Sequence, residues 1–334
     1  MMDRARRLWI GVGFTGLIML SATAGGFLAL WASTTPLLQQ QLSPEEAAIF
    51  GKGGSITRSG LRLPELTRPV NILVMGMSVL TSDVRNPTPD SQNLSYEAQV
   101  NSFDGLSDVM LLIRFDPETG KMIALSIPRD TQVEMVGQGT IKINAANVVG
   151  GPAASARLVS QLLGDVQIDR YVRVNVIGVE KLVEALGGVT VDVPKDMKYK
   201  DDSQHLYIDL KRGQQHLNGN QTLQLLRFRH DGQGDIGRIE RQHMVMRALM
   251  EQTLNPVTLA RFPQILKIVE SHIDTNLSVE ELLALAGFAV KADKEDVDML
   301  TLPGWANNTG RHEKISYWLP DHQRIQELIR QYFN

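Results

Sequence analysis

The stretch SDVMLLIRFDPETGKMIALSIPRDT, residues 107–131, carries most of the decision about the fold. Val109 to Phe115 and Met122 to Ile127 are short apolar runs of the buried-strand kind. Asp116, Pro117, Glu118, Thr119 and Gly120 between them have the composition of a turn, so the two runs predict a hairpin. Upstream, Val70 to Gly76 (VNILVMG) is a third such run, and a folded region is expected to start near Pro69. Downstream, Gly150, Gly151 and Pro152 open a helical pattern that runs through Leu163. Asn175 can cap a second helix, in which Val176, Val179, Leu182, Val183 and Leu186 share one face before Gly187. A strand, VTVDVP, follows at once. Strand, helix and strand in alternation predict an α/β core with helices on both faces of a partly parallel sheet. Helical patterns around Phe262 to Val269 and Val279 to Val290, then a strand-like MLTLPG, continue it, and residues 68–334 read as one domain.

Composition agrees with that class. At ~100–200 residues per domain, 334 residues give room for a sizeable core. Hydrophobic residues at 43% and charged residues at 21% exclude a disordered, collagen-like or polytopic membrane chain. A formal charge of -3 argues against a general affinity for nucleic acid and leaves any anion site to local clustering. The absence of cysteine removes disulfides, thiolate metal sites and a cysteine nucleophile together.

The amino terminus speaks to location. Leu8 to Trp31 (LWIGVGFTGLIMLSATAGGFLALW) carries no charge, over a length that meets the ~20 residues a bilayer span requires. Arg4, Arg6 and Arg7 precede it and the next charge is Glu45. The positive-inside bias therefore leaves residues 1–7 in the cytoplasm, makes 8–31 a transmembrane anchor and sends the rest outside. The competing reading is a cleaved signal peptide, because Ala22, Thr23 and Ala24 resemble a cleavage site, although the apolar run continues past them. Both readings export the remaining chain. Residues 32–67 are polar, with Gly51, Gly53 and Gly54 around Lys52, and read as a linker.

Several catalytic signatures are absent: there is no GxxxxGKS/T, HExxH or GxSxG, and no metal-like spacing among the seven histidines. Gly232, Gly234 and Gly237 satisfy GxGxxG, but a dinucleotide site needs a preceding strand. Here Asn218 opens what reads as a capped helix, GNQTLQLLRF, and another helix follows Gly237. More informative is the charge around those glycines. Asp235 can cap a helix whose first turns carry Arg238, Arg241 and Gln242 on one face, and Arg227 and Arg229 lie directly before the loop. Guanidinium forks at a helix amino terminus suit phosphate oxygens, and several of them suit a diphosphate. The bland alternative is a solvated surface on which Asp231, Asp235 and Glu240 pair with the arginines. A second group comprises Arg129 and Asp130 at the end of a predicted strand, where ligands collect in layered α/β folds, with Lys142 and Asn144 following. Asp108 opens the other hairpin strand and supplies a carboxylate suited to a hard cation or to base catalysis.

NILVMG at 71–76, the 107–131 stretch, KINAAN at 142–147, VNVIGVEKLVEALGGVTVDVP, HLNGNQTLQLLRFRHD and GDIGRIERQ, in that order after a single amino-terminal anchor, resemble the LytR-CpsA-Psr family. The resemblance implies a three-layer α/β/α core with a central mixed sheet, preceded by one transmembrane helix and enclosing a channel for a lipid tail. It implies a membrane-anchored phosphotransferase of the cell envelope, moving a glycopolymer from undecaprenyl diphosphate to peptidoglycan or another envelope polysaccharide. By motif position, Arg129, Arg227, Arg229 and Arg238 match the arginines around the carrier's diphosphate, and Gln242 matches the glutamine beside them. Asp108 matches a carboxylate associated with a Mg²⁺ ion. On this reading Asp108, Arg129 and Arg238 are catalytic; Arg241 joins the diphosphate set; Asp130, Lys142, Asn144 and Asp235 support it.

One departure stands out. The family's first strand usually runs into a second aspartate, whereas here Met77 and Ser78 follow NILVMG, and residues 79–107 form a long loop before Asp108. A hydroxyl is a poorer hard-cation ligand and base than a carboxylate, so Asp83 or Asp104 in that loop are the candidate substitutes. Apolar helices such as Ala153 to Leu163 are candidates to line the tail, although their pattern equally describes ordinary core. Two other readings compete: a non-catalytic scaffold that binds polyprenyl phosphates or glycans, and a hydrolase that uses the same diphosphate grip with water as acceptor.

Overall fold

The computed structural model of the chain describes residues 37, 41–51, 55–58, 64–78, 103–202, 206–228, 234–253, 261–292, 296–307 and 316–333. The expected anchor, residues 8–31, lies outside them, and no helix among the described residues is long and apolar enough to cross a membrane.

Six strands form a mixed sheet: β1 (Val70–Ser78), β2 (Leu106–Phe115), β3 (Met122–Ser126), β4 (Arg170–Val174), β5 (Ile273–Thr275) and β6 (Val297–Thr301), in the order β5-β4-β1-β2-β3-β6. The expected hairpin lies between β1 and β6. β2 and β3 pair antiparallel with Leu111 opposite Ser126 and Phe115 opposite Met122. In the turn, the Gly120 N–H donates to the Asp116 carbonyl at 2.9 Å, and Gly120 adopts φ 73°, which a residue without Cβ takes at little cost. β1 runs antiparallel to β2 and parallel to β4, and β6 runs parallel to β3.

One face of the sheet is sealed. Leu73, Met75, Met110, Leu112, Ile123 and Leu125 are buried against α1 (Ala146–Leu162) and against Ile325 and Ile329 of the carboxy-terminal helix (His322–Tyr332). α1 starts one turn before Gly150; Gly150 and Gly151 leave helical geometry, and Pro152 restarts the helix after this kink. Ala153, Ala156, Leu158, Val159 and Leu162 are all buried in this cluster, as the core reading of the Ala153 to Leu163 segment expects.

The helix α2 (Val176–Leu186) matches its expectation: the Asn175 side chain accepts from the Gly178 N–H at 2.7 Å, and Gly187 closes the helix at φ 91°. The strand after it does not join the central sheet. Val189–Val193 pairs with Gly213–Leu217 in a separate two-stranded sheet. Its burial alternates residue by residue, the pattern of a strand with one wet face, whereas a central parallel strand is covered on both. Val189, Val191 and Val193 form a second core with Leu217, Leu225, Val245 and Ala248 under α3 (Gly219–Arg227) and α4 (Gly234–Thr253).

The expected linker is partly folded onto the domain. Ser43 caps a short helix, Pro44–Ala47, in a capping box, and Phe50 is buried with its ring centroid 5.0 Å from that of Tyr171. Thr57–Arg58 pairs with Glu65–Leu66, and Ile56 and Leu66 pack with Leu277 and Ala284. Leu37 exchanges backbone hydrogen bonds with Leu277 and Thr275 at the β5 edge. A few apolar anchors in a polar stretch are enough to dock it, which average composition does not register.

Candidate diphosphate site

The antiparallel course of β2 brings its start to the same end of the sheet as the carboxyl ends of β1, β3, β4 and β6. At that end Met77 stands opposite Ser107, Ser78 opposite Leu106 and Gly76 opposite Val109, an irregularity that places Asp108 at a bulge. Bulges re-aim side chains and recur beside active sites. The position expected to hold a second aspartate, Ser78, thus sits across from the approach to Asp108. Asp104 is exposed just before β2, and Asp83 lies outside the described residues.

After β3 the chain turns. The Thr131 N–H and hydroxyl both donate to the Pro128 carbonyl, at 3.0 and 2.6 Å, which fixes the turn carrying Arg129 and Asp130. Arg129 Nη1 donates to Asp108 Oδ1 at 2.9 Å, Arg129 Nε lies 3.6 Å from Asp130 Oδ2, and Lys142 Nζ donates to Asp130 Oδ1 at 2.7 Å. Charges alternate along this chain of four side chains. The Arg129 and Asp108 side chains are 19% and 13% exposed, largely withdrawn from water. Asn144 ties the segments together through its backbone: its N–H donates to the Arg129 carbonyl at 3.2 Å, and its carbonyl accepts from the Ser107 hydroxyl at 3.3 Å.

The second arginine group lies between α3 and α4. The capping box of Asn218 and Gln221 starts α3 as expected, and Arg227 is its last residue, followed by buried Phe228. Arg229 and the side chains of Asp235 and Arg238 lie outside the described residues. α4 begins at Gly234, so Asp235 sits within the first turn and not at the cap, where a carboxylate still favours the helix dipole. Arg241 departs from its expected role. It is 3% exposed, donates from Nη2 to the Phe228 carbonyl at 2.6 Å and lies over the Phe228 ring at 5.8 Å. Helical spacing puts it on the buried face with Val245 and Ala248, where it holds the backbone between Arg227 and Arg229. Gln242 is half-buried one position on.

A contact absent from the sequence reading joins the two groups. Ser126 Oγ and His243 Nε2 are 2.6 Å apart, linking α4 to the last residue of β3, three positions before Arg129. Burial first, and the charge of Arg247 second, hold the His243 imidazole below its ordinary pKa. No group of three or more metal-ligating side chains occurs among the described residues.

A sequence model of the LytR_cpsA_psr family matches residues 40–334. The chain belongs to the LytR_cpsA_psr family. It is 32% identical over 231 residues to a Bacillus subtilis (strain 168) protein named polyisoprenyl-teichoic acid–peptidoglycan teichoic acid transferase TagV, covering 67% of this chain and 58% of that relative. The chain therefore spans less than two thirds of that relative's length. A Bacillus cereus relative, polyisoprenyl-teichoic acid–peptidoglycan teichoic acid transferase TagU, is 29% identical over 276 residues, 82% of this chain and 80% of the relative. The crystal structure of B. subtilis TagV has the same fold, with a TM-score of 0.64 at 28% identity over 80% of this chain and 98% of the other.

Within this LytR_cpsA_psr domain a further group was invisible to motif reading. Arg173 and Asp274, both essentially unexposed, pair with Arg173 Nε donating to Asp274 Oδ2 at 2.8 Å, and Arg173 Nη1 also donates to Asn147 Oδ1 at 3.2 Å. Asn147 Nδ2 in turn donates to the Phe103 and Gly105 carbonyls, pinning the chain that leads into Asp108. The advance signals were a serine interrupting the apolar run MIALSI for the Ser126–His243 contact, and polar residues on otherwise apolar strands for this group.

Proposed function

We propose that this protein is a membrane-anchored phosphotransferase that moves a glycopolymer from a polyprenyl diphosphate carrier to a hydroxyl of peptidoglycan or another envelope polysaccharide. The observation that carries the reading is the Asp108–Arg129 pair at the strand ends, at the same end of β3 where the Ser126–His243 contact ties in α4. Family membership and the names of the relatives support it.

Arg129, Arg227, Arg229 and Arg238 would grip the diphosphate and stabilise charge as it moves onto the leaving group, a positioning task that asks little covalent work of the protein. The acceptor hydroxyl oxygen bonds to the phosphorus beside the glycan, the phosphoanhydride bond breaks, and polyprenyl phosphate leaves with the electron pair. The hydroxyl proton passes to water or to the departing phosphate. One described carboxylate, Asp108, suits Mg²⁺ held jointly with diphosphate oxygens, because that ion is commonly bound by one or two carboxylates plus substrate phosphates. Such an ion would offset diphosphate charge.

The lipid tail fits the face of the sheet opposite α1. There Val74, Val109, Phe115, Val297 and Met299 are only half-buried although they lie between the sheet and the helices that carry Met246 and Phe288. Residues 8–31 are the proposed anchor, with residues 1–7 cytoplasmic and the domain outside. Transfer by Arg129→Ala and Arg238→Ala tests the reading. A fall on the order of 10² to 10³ in each is expected, from the loss of a preorganised donor, and wild-type rates in both would reject it. Tight carrier binding without turnover by the unaltered chain would favour a scaffold, and release of glycan phosphate to water would favour a hydrolase.

A further inference from the structure

Beside the Arg129 turn stands a small aromatic surface that the diphosphate chemistry does not use. Gly304–Ala306 pairs antiparallel with Trp318–Pro320, with Trp305 opposite Leu319 and Ala306 opposite Trp318. The ladder continues one step, since the Asn307 N–H donates to the Tyr317 carbonyl at 2.9 Å. Alternation along paired strands therefore puts Trp305, Asn307, Tyr317 and Leu319 on one face and Gly304, Ala306, Trp318 and Pro320 on the other. The second face is structural. Trp318 packs against the sealed core, and its indole lies so close to Gly304 that an added Cβ would clash with Nε1. The first face is open, with Trp305 54% exposed.

This hairpin is fastened to the reaction centre. The Trp318 N–H donates to the Asp130 carbonyl at 2.9 Å, Thr131 bridges to Trp318, and the Leu302 N–H donates to the Ser126 carbonyl at 2.8 Å. Lys142, which pairs with Asp130, also stands 5.9 Å from the Tyr317 ring centroid. An exposed indole is thus held by backbone bonds to the residue after Arg129, with an amide, a phenol and an ammonium alongside it.

We propose that Trp305, with Tyr317, Asn307 and Lys142, forms a saccharide subsite that seats a sugar ring of the acceptor glycan or of the donor glycan beside the diphosphate. This rests on the transferase reading. A pyranose ring carries an apolar C–H face bordered by hydroxyls, which matches an indole face bordered by hydrogen-bonding groups.

The test uses the full-length chain and its Trp305→Ala and Trp305→Phe forms. Calorimetric titration with a peptidoglycan-derived tetrasaccharide, without any lipid donor, reads the subsite independently of turnover. About tenfold weaker binding by Trp305→Ala, largely restored in Trp305→Phe, is expected. In transfer assays a tenfold rise in KM for the acceptor alone assigns the subsite to the acceptor. A rise for the lipid-linked donor alone, with unchanged tetrasaccharide binding, assigns it to the donor glycan. Unchanged titration together with unchanged KM for both substrates overturns the proposal, as does a Trp305→Ala form whose sole defect is weaker adhesion to phospholipid vesicles. If the unaltered chain binds the tetrasaccharide through Trp305 but transfers nothing, the subsite stands and the transferase reading falls.

Discussion

The two faces of the central sheet are made from the same strands and are sealed very differently. Toward α1, Leu73, Met75, Leu112 and Leu125 have essentially no exposure, and Arg173 and Asp274 form an ion pair withdrawn from water among Phe103 and Tyr171. Toward α4, Leu111 and Ala124 are buried, but Val74, Val109, Phe115, Val297 and Met299 retain access to solvent. A tightly packed face gives rigidity and holds strand ends in register. A loosely covered apolar face leaves room for something apolar that is not part of the chain. The difference teaches that the face toward α4 is the less completely covered of the two.

Substitutions can break or sharpen this contrast. The largest effect is expected on the sealed side from Asp274→Ala, which strands the Arg173 charge in the core and should lower stability by ~3–5 kcal/mol in a urea melt. Leu112→Ala on the same side should cost ~2–5 kcal/mol, while Val74→Ala on the open side should cost no more than about 1 kcal/mol. Equal losses for the two would erase the distinction. Added bulk gives a further comparison. Ala156→Phe should destabilise by ~1–3 kcal/mol, whereas Val74→Phe should leave the melt nearly unchanged and weaken binding of a polyprenyl diphosphate.

The smallest effect concerns His243 at the edge of the open layer. Its pKa is lowered in the folded state, chiefly by burial, so the unfolded chain binds the proton more readily. The neutral imidazole contributes fully above the unfolded value, and stability should fall as pH drops through about 6.5 toward 5. Melting curves of the unaltered chain and of His243→Gln across that interval should diverge at the acid end, and parallel curves would remove His243 from this role.

Much of the fold was legible because it rests on local signals: the 116–120 turn, the Asn175 and Asn218 caps and Gly187 each act within a few residues. Asp108 and Arg129 were legible as residues of one site because the hairpin that carries them is local too, whereas their direct contact was not, Arg129 having been grouped with Asp130. The rest depends on distance in sequence. VTVDV resembles any strand until its partner at 213–217 is known, and Phe50 resembles linker until Tyr171 meets it. Arg241 was assigned to the wrong face because three residues at i, i+3 and i+4 spread across a helix surface, and the core beneath decides which of them turns inward. The contrast between the sheet's two faces left no trace in MLLI or IALS, since covering layers come from residues tens to hundreds of positions away.

The resting contact between Arg129 and Asp108 bears on turnover in the proposed reaction. A ligand that takes the guanidinium must displace or share a carboxylate already 2.9 Å away, so weak anions are disfavoured and binding rewards the number of anionic oxygens presented. A diphosphate ester presents more of them than the polyprenyl monophosphate left after transfer. In the proposed reaction the same ion pair would therefore help to release polyprenyl monophosphate, and inhibition by that product would be low.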